Sequence, residues 1–241
     1  MRQGIFMVVL IIVAFLIAFS IFTYMLPEYI TKGGPLVVLL IMLSIMVITY
    51  IFERLYVLRA ARGKASLISF LKEMKKYIDS DKVDEAIAAC DKQRGSCANV
   101  LRAGLEKYKV LKSSGRTLEQ KAAMDEIQHS IDEAMMLEVP LLEKNLVVLS
   151  TVASIATLVG LLGTTIGMIR AFKALAQSGA PDAIALSLGI SEALINTAGG
   201  LLCAIMGIIA YNYFATRIDN FTYMISEATY SMIQTITTNK R

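Results

Sequence analysis

Four long apolar stretches and one charged block follow one another along this chain. The apolar stretches are residues 5–26, 36–52, 146–169 and 183–214, and the charged block is 53–146. A helix that crosses a bilayer needs about 20 apolar residues, a length that three stretches reach and the second approaches. The pattern therefore predicts an all-α, polytopic membrane protein whose long transmembrane helices extend into a helical cytoplasmic domain.

This alternation predicts five segments in chain order. Residues 1–26 form an N-terminal transmembrane helix or a signal peptide, and residues 27–52 form the first helix of a transmembrane core. Residues 53–146 form a cytoplasmic helical domain, and residues 147–214 form a transmembrane hairpin. Residues 215–241 are then a cytoplasmic C-terminal tail.

Two interpretations of the first segment stay open. Arg2 followed by an apolar run fits a signal peptide, and Ala18-Phe19-Ser20 offers a cleavage site of the small-x-small kind. The run continues apolar past that site to Leu26, which favours a helix that is retained in the membrane.

The charged block sets the expected orientation in the membrane. It carries 17 of the 24 Lys and Arg residues and 15 of the 20 Asp and Glu residues. Because basic residues accumulate on the cytoplasmic side of a membrane, the block and both chain ends are expected in the cytoplasm. Arg170 and Lys173 fall on the outer side, against this trend.

Apolar residues at three- and four-residue steps predict helices throughout the block. One stripe runs from Leu67 to Ile78. Another, from Met124 to Leu142, predicts one long helix that continues into the membrane with a kink at Pro140. Loop residues are predicted at Ser113-Ser114-Gly115, and the turn of the hairpin at Gly179-Ala180-Pro181-Asp182.

Composition excludes several classes of function. At 56% hydrophobic residues the chain is too apolar for an ordinary soluble enzyme, where about 45–50% is usual. A net charge of +4 does not indicate a nucleic-acid-binding protein. One histidine and three cysteines without a CxxC pair predict neither a metal site nor a disulfide framework. The charged block contains no nucleotide-binding, hydrolase, zinc-protease or EF-hand motif, and we predict no enzyme activity and no cofactor.

The last two apolar stretches differ from simple lipid anchors because small and polar residues interrupt them. Small residues let helix backbones approach closely in a membrane, so these helices are expected to pack against other helices. The residues of this packing stripe, which is also a possible pore stripe, are Ser154, Thr157, Gly160, Gly163, Gly167, Asn196 and Gly200.

Glu192 lies inside the fourth apolar stretch. An acidic side chain at the centre of a membrane helix costs at least about 2.5–3.5 kcal/mol, so it is expected to face protein or water. Such a residue typically marks an ion or proton pathway. The alternative is a structural carboxylate that is hydrogen-bonded between helices or lies near the outer interface.

Two threonines are expected at one depth in the hairpin. Thr164 and Thr197 lie equally far from its predicted turn, about 24 Å along each helix. Their hydroxyl groups belong to a polar ring if several hairpins surround a pore. The alternative is that each hydroxyl bonds to a carbonyl of its own helix.

Two motifs in these helices resemble the ExbB/TolQ/MotA proton-channel family. Residues 160–169 (GLLGTTIGMI) are similar to its second core helix, and residues 190–201 (ISEALINTAGGL) to its third. Weaker similarity is found at Gly33-Gly34-Pro35, at Glu53-Arg54 and in residues 95–105. The resemblance covers about residues 32–219 and is strongest to ExbB.

The resemblance implies a role for each matched residue. Thr164 and Thr197 correspond to pore-lining threonines and Glu192 to a pore carboxylate, on a pathway for protons as the coupling ion. It implies a homo-oligomeric ring, expected to be a pentamer, in the bacterial inner membrane. A small single-span partner similar to ExbD or TolR lies inside the ring and supplies the aspartate that carries the proton.

An ExbB-type chain is the stator subunit of a motor that couples proton-motive force to a TonB-like protein for outer-membrane nutrient import. A TolQ-like subunit, which works with a TolA-like protein in envelope maintenance, is the alternative within the family. A membrane scaffold that conducts nothing is the alternative from another class. The chain departs from the family at Thr157 and Met206, where members often have proline, and in its additional N-terminal helix.

Overall fold

The computed structural model describes residues 2–113, 120–177 and 182–239, and side chains within 8–113, 121–176 and 182–238. Every regular element in these ranges is a helix, which confirms the predicted all-α class. The helices are α1 (Arg2–Tyr24), α2 (Glu28–Thr31), α3 (Pro35–Arg62), α4 (Leu67–Asp79), α5 (Val83–Gln93), α6 (Ser96–Ser113), α7 (Gln120–Glu143), α8 (Leu146–Gln177) and α9 (Ala183–Asn239). The predicted loop at 114–115 and hairpin turn at 179–181 lie outside the described residues.

The chain divides into two compact units. One comprises Met1–Glu53 and Asn145–Tyr213, and the other comprises Arg54–Lys144 and Phe214–Arg241. The first contains the apolar helices, and the second contains the charged block together with the last part of α9.

Three helical stretches of the described residues are long and apolar enough to cross a membrane. They lie within Pro35–Asp79, Lys121–Ala176 and Ala183–Thr238, with mean hydropathies of 2.7, 2.2 and 2.0. The polytopic character predicted from the sequence is thereby supported by length and composition. The apolar part of α1 whose side chains are described, Val8–Tyr24, is shorter than a full span, so a fourth crossing stays a prediction.

Helix α1 buries only a narrow stripe of small residues. Ala14 and Ala18 are buried, whereas Phe15, Leu16 and Phe19 are about half exposed or more. An exposed surface of this kind is costly in water but suits contact with lipid chains. The helix therefore contributes little packing to its unit.

In the second unit, the predicted amphipathic stripe of α4 forms part of the core. Its residues Phe70, Met74 and Ile78 are buried. Leu101 of α6 and Ile127 of α7 are also buried, as are three residues that follow the hairpin on α9: Ile218, Phe221 and Ile225. The segment after residue 215 is therefore helical and contributes core side chains up to Ile236.

Helices α7 and α8 are separate, although the sequence predicted one continuous helix. Helix α7 ends at Glu143, and Asn145 has a φ of +63°, a left-handed conformation that asparagine tolerates better than most residues. The side-chain amide of Asn145 donates to Glu53 Oε1 at 3.3 Å. Pro140 lies in the last turn of α7, so the break comes after the proline and not at it.

Arg54 is a buried structural residue. It lies at the start of the charged block, where an exposed side chain is expected, yet it is only 2% exposed. Its Nη1 donates to the carbonyl of Leu142, in the last turn of α7, at 2.9 Å. A cation at this end of a helix satisfies a carbonyl that has no partner in the helix and interacts favourably with the helix dipole.

The three cysteines are free and buried. Burial raises the pKa of both the Cys90 and the Cys97 thiol to about 12, so both remain protonated at neutral pH. Because the thiolate is the reactive form, these residues act as small apolar packing groups.

Candidate functional site in the membrane hairpin

Helices α8 and α9 pack closely along a seam of small residues. On α8 the seam contains Ala153, Ala156, Gly160, Gly163, Gly167 and Ala171, and on α9 it contains Gly189, Ala193, Asn196, Gly200 and Gly207. All of these residues are buried. A Cβ added to Gly167 would lie 2.7 Å from the carbonyl oxygen of Gly189, so the two backbones touch where side chains are absent.

The seam also fixes the register of the hairpin. Gly160 lies against Gly200, and Gly163 lies against Asn196. Thr164 and Thr197 each follow one of this second pair, so they lie at nearly the same level, as the distance from the predicted turn indicated. Five of the seven predicted stripe residues are therefore in the helix interface: Gly160, Gly163, Gly167, Asn196 and Gly200.

Ser154 and Thr157 lie outside this interface. Their hydroxyl groups donate to carbonyls of their own helix, those of Ser150 and Ala153, at 3.0 and 3.2 Å. Both side chains are on the exposed side of α8. They share this side with large apolar residues such as Leu158 and Leu161.

Asn196 is the central polar residue of the seam and is completely buried. Its Nδ2 donates to the carbonyl of Gly33 at 2.8 Å and to the carbonyl of Glu192 at 3.0 Å. The segment before α3 is thus held against α9. The Asn196 Oδ1 atom is buried and has no hydrogen-bond partner in the described part of the chain.

Glu192 forms an ion pair that the sequence did not predict. Arg170 Nη1 donates to Glu192 Oε1 at 2.5 Å, and the two side chains are 55% and 10% exposed. Gly34, with a φ of +74°, lies over the carboxylate, and a Cβ there would be 2.9 Å from Glu192 Oε1. Glycine at this position permits both the left-handed backbone and the close approach.

This pairing explains how an acidic residue is accommodated in an apolar helix. A buried carboxylate is stabilised when a cation and hydrogen bonds compensate for lost hydration. The carboxylate is thus hydrogen-bonded between α8 and α9, which was the alternative to an ion or proton pathway. In the sequence Arg170 stands out only as an exception to the charge distribution, because the two partners are 22 positions apart and their contact depends on how α8 and α9 pack.

The two threonine hydroxyls have different partners. Thr164 Oγ1 donates to the carbonyl of Leu161 on its own helix at 2.6 Å. Thr197 Oγ1 donates across the seam to the carbonyl of Gly160 at 3.3 Å. Both residues are partly exposed.

The site has the features of a helix interface that contains polar groups. Among the described residues, no group of three or more His, Cys, Asp or Glu side chains is placed to hold a metal ion. The groups that could exchange hydrogen bonds or protons are the Glu192 carboxylate, the Asn196 amide and the two threonine hydroxyls.

Comparison with known proteins shows that a described family includes this hairpin. The MotA/TolQ/ExbB proton channel family matches residues 92–227, more than half of the chain. The Tol-Pal system protein TolQ of Pseudomonas aeruginosa is 32% identical over 191 residues, which are 77% of this chain and 81% of that protein.

Two further relatives carry the names ExbB and TolQ. The biopolymer transport protein ExbB of Pseudomonas putida is 24% identical over 200 residues, which are 82% of this chain and 59% of that protein. The Tol-Pal system protein TolQ of Haemophilus influenzae is 41% identical over 86 residues, which are 36% of this chain and 38% of that protein.

Proposed function

Because the chain belongs to the MotA/TolQ/ExbB proton channel family, we propose that it is the ring-forming stator subunit of a proton-driven motor in the bacterial inner membrane. Five copies surround the helices of a single-span, ExbD- or TolR-like partner, whose aspartate carries the proton. The observation that supports this most is the hairpin of α8 and α9, where a close small-residue seam bears Glu192, Asn196 and two threonine hydroxyls at neighbouring levels.

In this proposal the threonines contact the partner and the small-residue seam keeps the ring rigid. A proton that crosses 100 mV of membrane potential releases about 2.3 kcal/mol. When it neutralises the partner's aspartate, that side chain exchanges its hydrogen bonds with the hydroxyl groups of Thr164 and Thr197. The exchange moves the partner relative to the ring, and the motion acts on a protein on the outer side.

We propose a TonB-like protein, and hence outer-membrane nutrient import, as the target of this motion. A TolA-like protein and envelope maintenance form the second candidate, which the 32% identity to TolQ over 81% of its length favours. The orientation that fits both has the charged block and the C-terminus in the cytoplasm, as the distribution of basic residues predicts.

Native mass spectrometry of the tagged chain, extracted gently from its own membranes, tests the proposal. We expect a ring of about five copies with a small single-span protein that bears an aspartate in its span. The larger companion, TonB-like or TolA-like, distinguishes the two candidates. A monomer or dimer without a single-span companion would instead support a scaffold that conducts nothing.

The variant Thr197→Val tests the pore residues directly. It preserves the shape of the side chain and removes the hydroxyl that donates to Gly160. We expect loss of transport driven by the proton-motive force while the ring remains intact in native mass spectrometry. Thr151→Val is the matched control, since that hydroxyl is exposed and bonds to a carbonyl of its own helix. Normal transport in Thr197→Val would show that the pore assignment is wrong.

A further inference from the structure

The second unit has an open apolar groove between α4 and the last part of α9. Its volume is about 440 Å³. Leu101 of α6 and Ile78 of α4 are buried in its wall, and Met74, Met224 and Met232 line it as well. Methionine side chains adapt to the shape of a partner, and they are common on surfaces that bind another helix.

The rim of the groove is partly basic. Lys72 and Lys75 line one side, and neither lysine has an ion-pair partner in the described part of the chain. Ile68, on the same side, is 80% exposed, which is unusual for an isoleucine beside an open apolar groove. A fitting occupant thus combines large apolar or aromatic groups with negative charge.

An adjacent side of α9 carries side chains of this kind. Tyr223 and Tyr230 are 70% and 71% exposed, and Glu227 lies between them in sequence. Their spacing of four and three residues places them along one side of the helix. We call Tyr223, Glu227 and Tyr230 the tyrosine stripe. At 100° per residue, its tyrosines are about 120° around the helix from the groove-lining residues Met224 and Ala228.

We propose that the groove of one copy of this chain holds the tyrosine stripe of the next copy, so that this contact closes the cytoplasmic part of the ring. The inference rests on the proposed function, because it requires a ring. In a ring with rotational symmetry, each subunit has two different contact patches. One patch binds the preceding subunit, and the other binds the following subunit. The groove and the stripe are two such patches, and they do not overlap except at Glu227, which lies at the edge of both.

Rotational symmetry supplies the argument for this occupant. Rotation about the ring axis leaves the height of every residue along the axis unchanged, so a groove can receive only residues from its own level. The groove is walled by α9 residues between Met224 and Thr235, and the stripe lies on the same turns of the same helix. The heights of groove and stripe therefore agree in every copy.

Charge and chemistry agree with the geometry. Glu227 of the next copy approaches Lys72 and Lys75, two lysines without an ion pair in the described residues. Tyrosine places its ring on the apolar wall and keeps its hydroxyl at the wet rim, a combination that makes tyrosine frequent at protein interfaces. A lysine ammonium group over the ring adds a cation–π attraction.

Disulfide crosslinking between two differently tagged copies tests the proposal. One copy carries Ile68→Cys and the other carries Tyr230→Cys, and both are expressed together in native membranes. Mild oxidation is expected to give a crosslinked dimer that contains both tags. The control pair is Lys109→Cys with Tyr230→Cys, because Lys109 is an exposed residue of α6 that does not line the groove. The control is expected to give no such dimer.

Native mass spectrometry of the same membranes separates the two hypotheses. An intact ring without the crosslink between positions 68 and 230 would overturn the groove contact and leave the proposed function standing. A chain that forms no ring would overturn both.

A charge variant provides a second, independent measurement. Lys72→Glu with Lys75→Glu is expected to weaken association of the copies roughly tenfold, and addition of Glu227→Lys is expected to restore most of it. The matched control is the reversal of Lys92, which lies on α5 outside the groove. Equal association in the groove variant and this control would contradict the proposal.

Discussion

Glu192 has a structural contact in the hairpin and a proposed role in a proton pathway. Its carboxylate is held by Arg170 and covered by Gly34, so the isolated chain stabilises the charge through its own residues. In the proposed function, a proton pathway through Glu192 requires this carboxylate to exchange Arg170 for another partner. The ion pair therefore defines the resting state against which such an exchange is measured.

Removing Arg170 leaves the Glu192 carboxylate buried without a cation. Arg170→Met is expected to destabilise the protein by about 2–4 kcal/mol, somewhat less than for a fully buried pair because the arginine is half exposed. Thermal unfolding in detergent, followed by circular dichroism, measures the change. Lys173→Met is the control, since Lys173 is an exposed residue three positions along the same helix.

The double variant Arg170→Met with Glu192→Gln separates charge from packing. The neutral amide needs no counter-charge, so the double variant is expected to regain a large part of the lost stability. If it is as unstable as Arg170→Met alone, the arginine acts through packing and not through the carboxylate.

Gly163 contributes to the close packing of α8 against α9 because it has no side chain. Its Cβ would overlap the side chain of Asn196, so Gly163→Ala is expected to separate α8 from α9 and cost about 1–3 kcal/mol. Gly199→Ala is the matched control, because its Cβ would meet only the flexible end of Leu40, at 3.3 Å. Unfolding in detergent compares the two, and an equal effect would contradict the importance of the seam.

At the scale of elements, one buried side chain joins two connections in the second unit. Gln93, the last residue of α5, donates through Nε2 to the carbonyls of Arg62 and Ala65 and accepts from the amide of Ala65 through Oε1. Gly63 fits against this site because a Cβ there would lie 2.6 Å from the Gln93 carbonyl. The turn from α3 to α4 is thus fixed to the end of α5.

Gln93→Ala is expected to loosen that turn. Removal of the amide leaves two carbonyls and one amide group without their partners, at a cost of about 1–3 kcal/mol. Trypsin is expected to cleave faster after Arg62 and Lys64, which mass spectrometry of early fragments detects. In Gln128→Ala, which removes an exposed bond to Asp132 on α7, the early fragments are expected to stay unchanged. Faster cleavage there as well would indicate a general loss of stability.

The sequence predicted the elements well where one periodicity dominates. The stripe from Leu67 to Ile78 became a helix with three buried core residues, because spacing of three and four residues places apolar groups on one side. The break between α7 and α8 was missed, since a single left-handed asparagine decides it and the apolar pattern continues across it.

The candidate site was predicted only as far as local spacing reaches. The packing of Gly160, Gly163 and Gly167 followed from small residues on one side of a helix. The contacts of Glu192 with Arg170 and of Asn196 with Gly33 join residues 22 and 163 positions apart. Such pairs depend on the register between elements, which a period along one helix does not encode.

At the scale of the whole molecule, the contribution of α1 is open to a direct test. Its described part buries only Ala14 and Ala18, so deletion of residues 1–26 is expected to leave assembly of the proposed ring intact. The midpoint of thermal unfolding is expected to shift by a few degrees at most, since little apolar area between helices is lost. Native mass spectrometry of the shortened chain checks the assembly. Dissociation into monomers would show that α1 links the copies.

The chain has no tryptophan, but its three buried thiols can report the rate at which each part of the structure opens locally. Cys203 belongs to one unit, and Cys90 and Cys97 belong to the other. A thiol that is buried is shielded from an alkylating reagent until its surroundings open. Chains that retain only Cys203 or only Cys97 would therefore be labelled at rates that time the opening of each unit separately. Two distinct rates would mean that the membrane hairpin and the charged helices loosen as independent events.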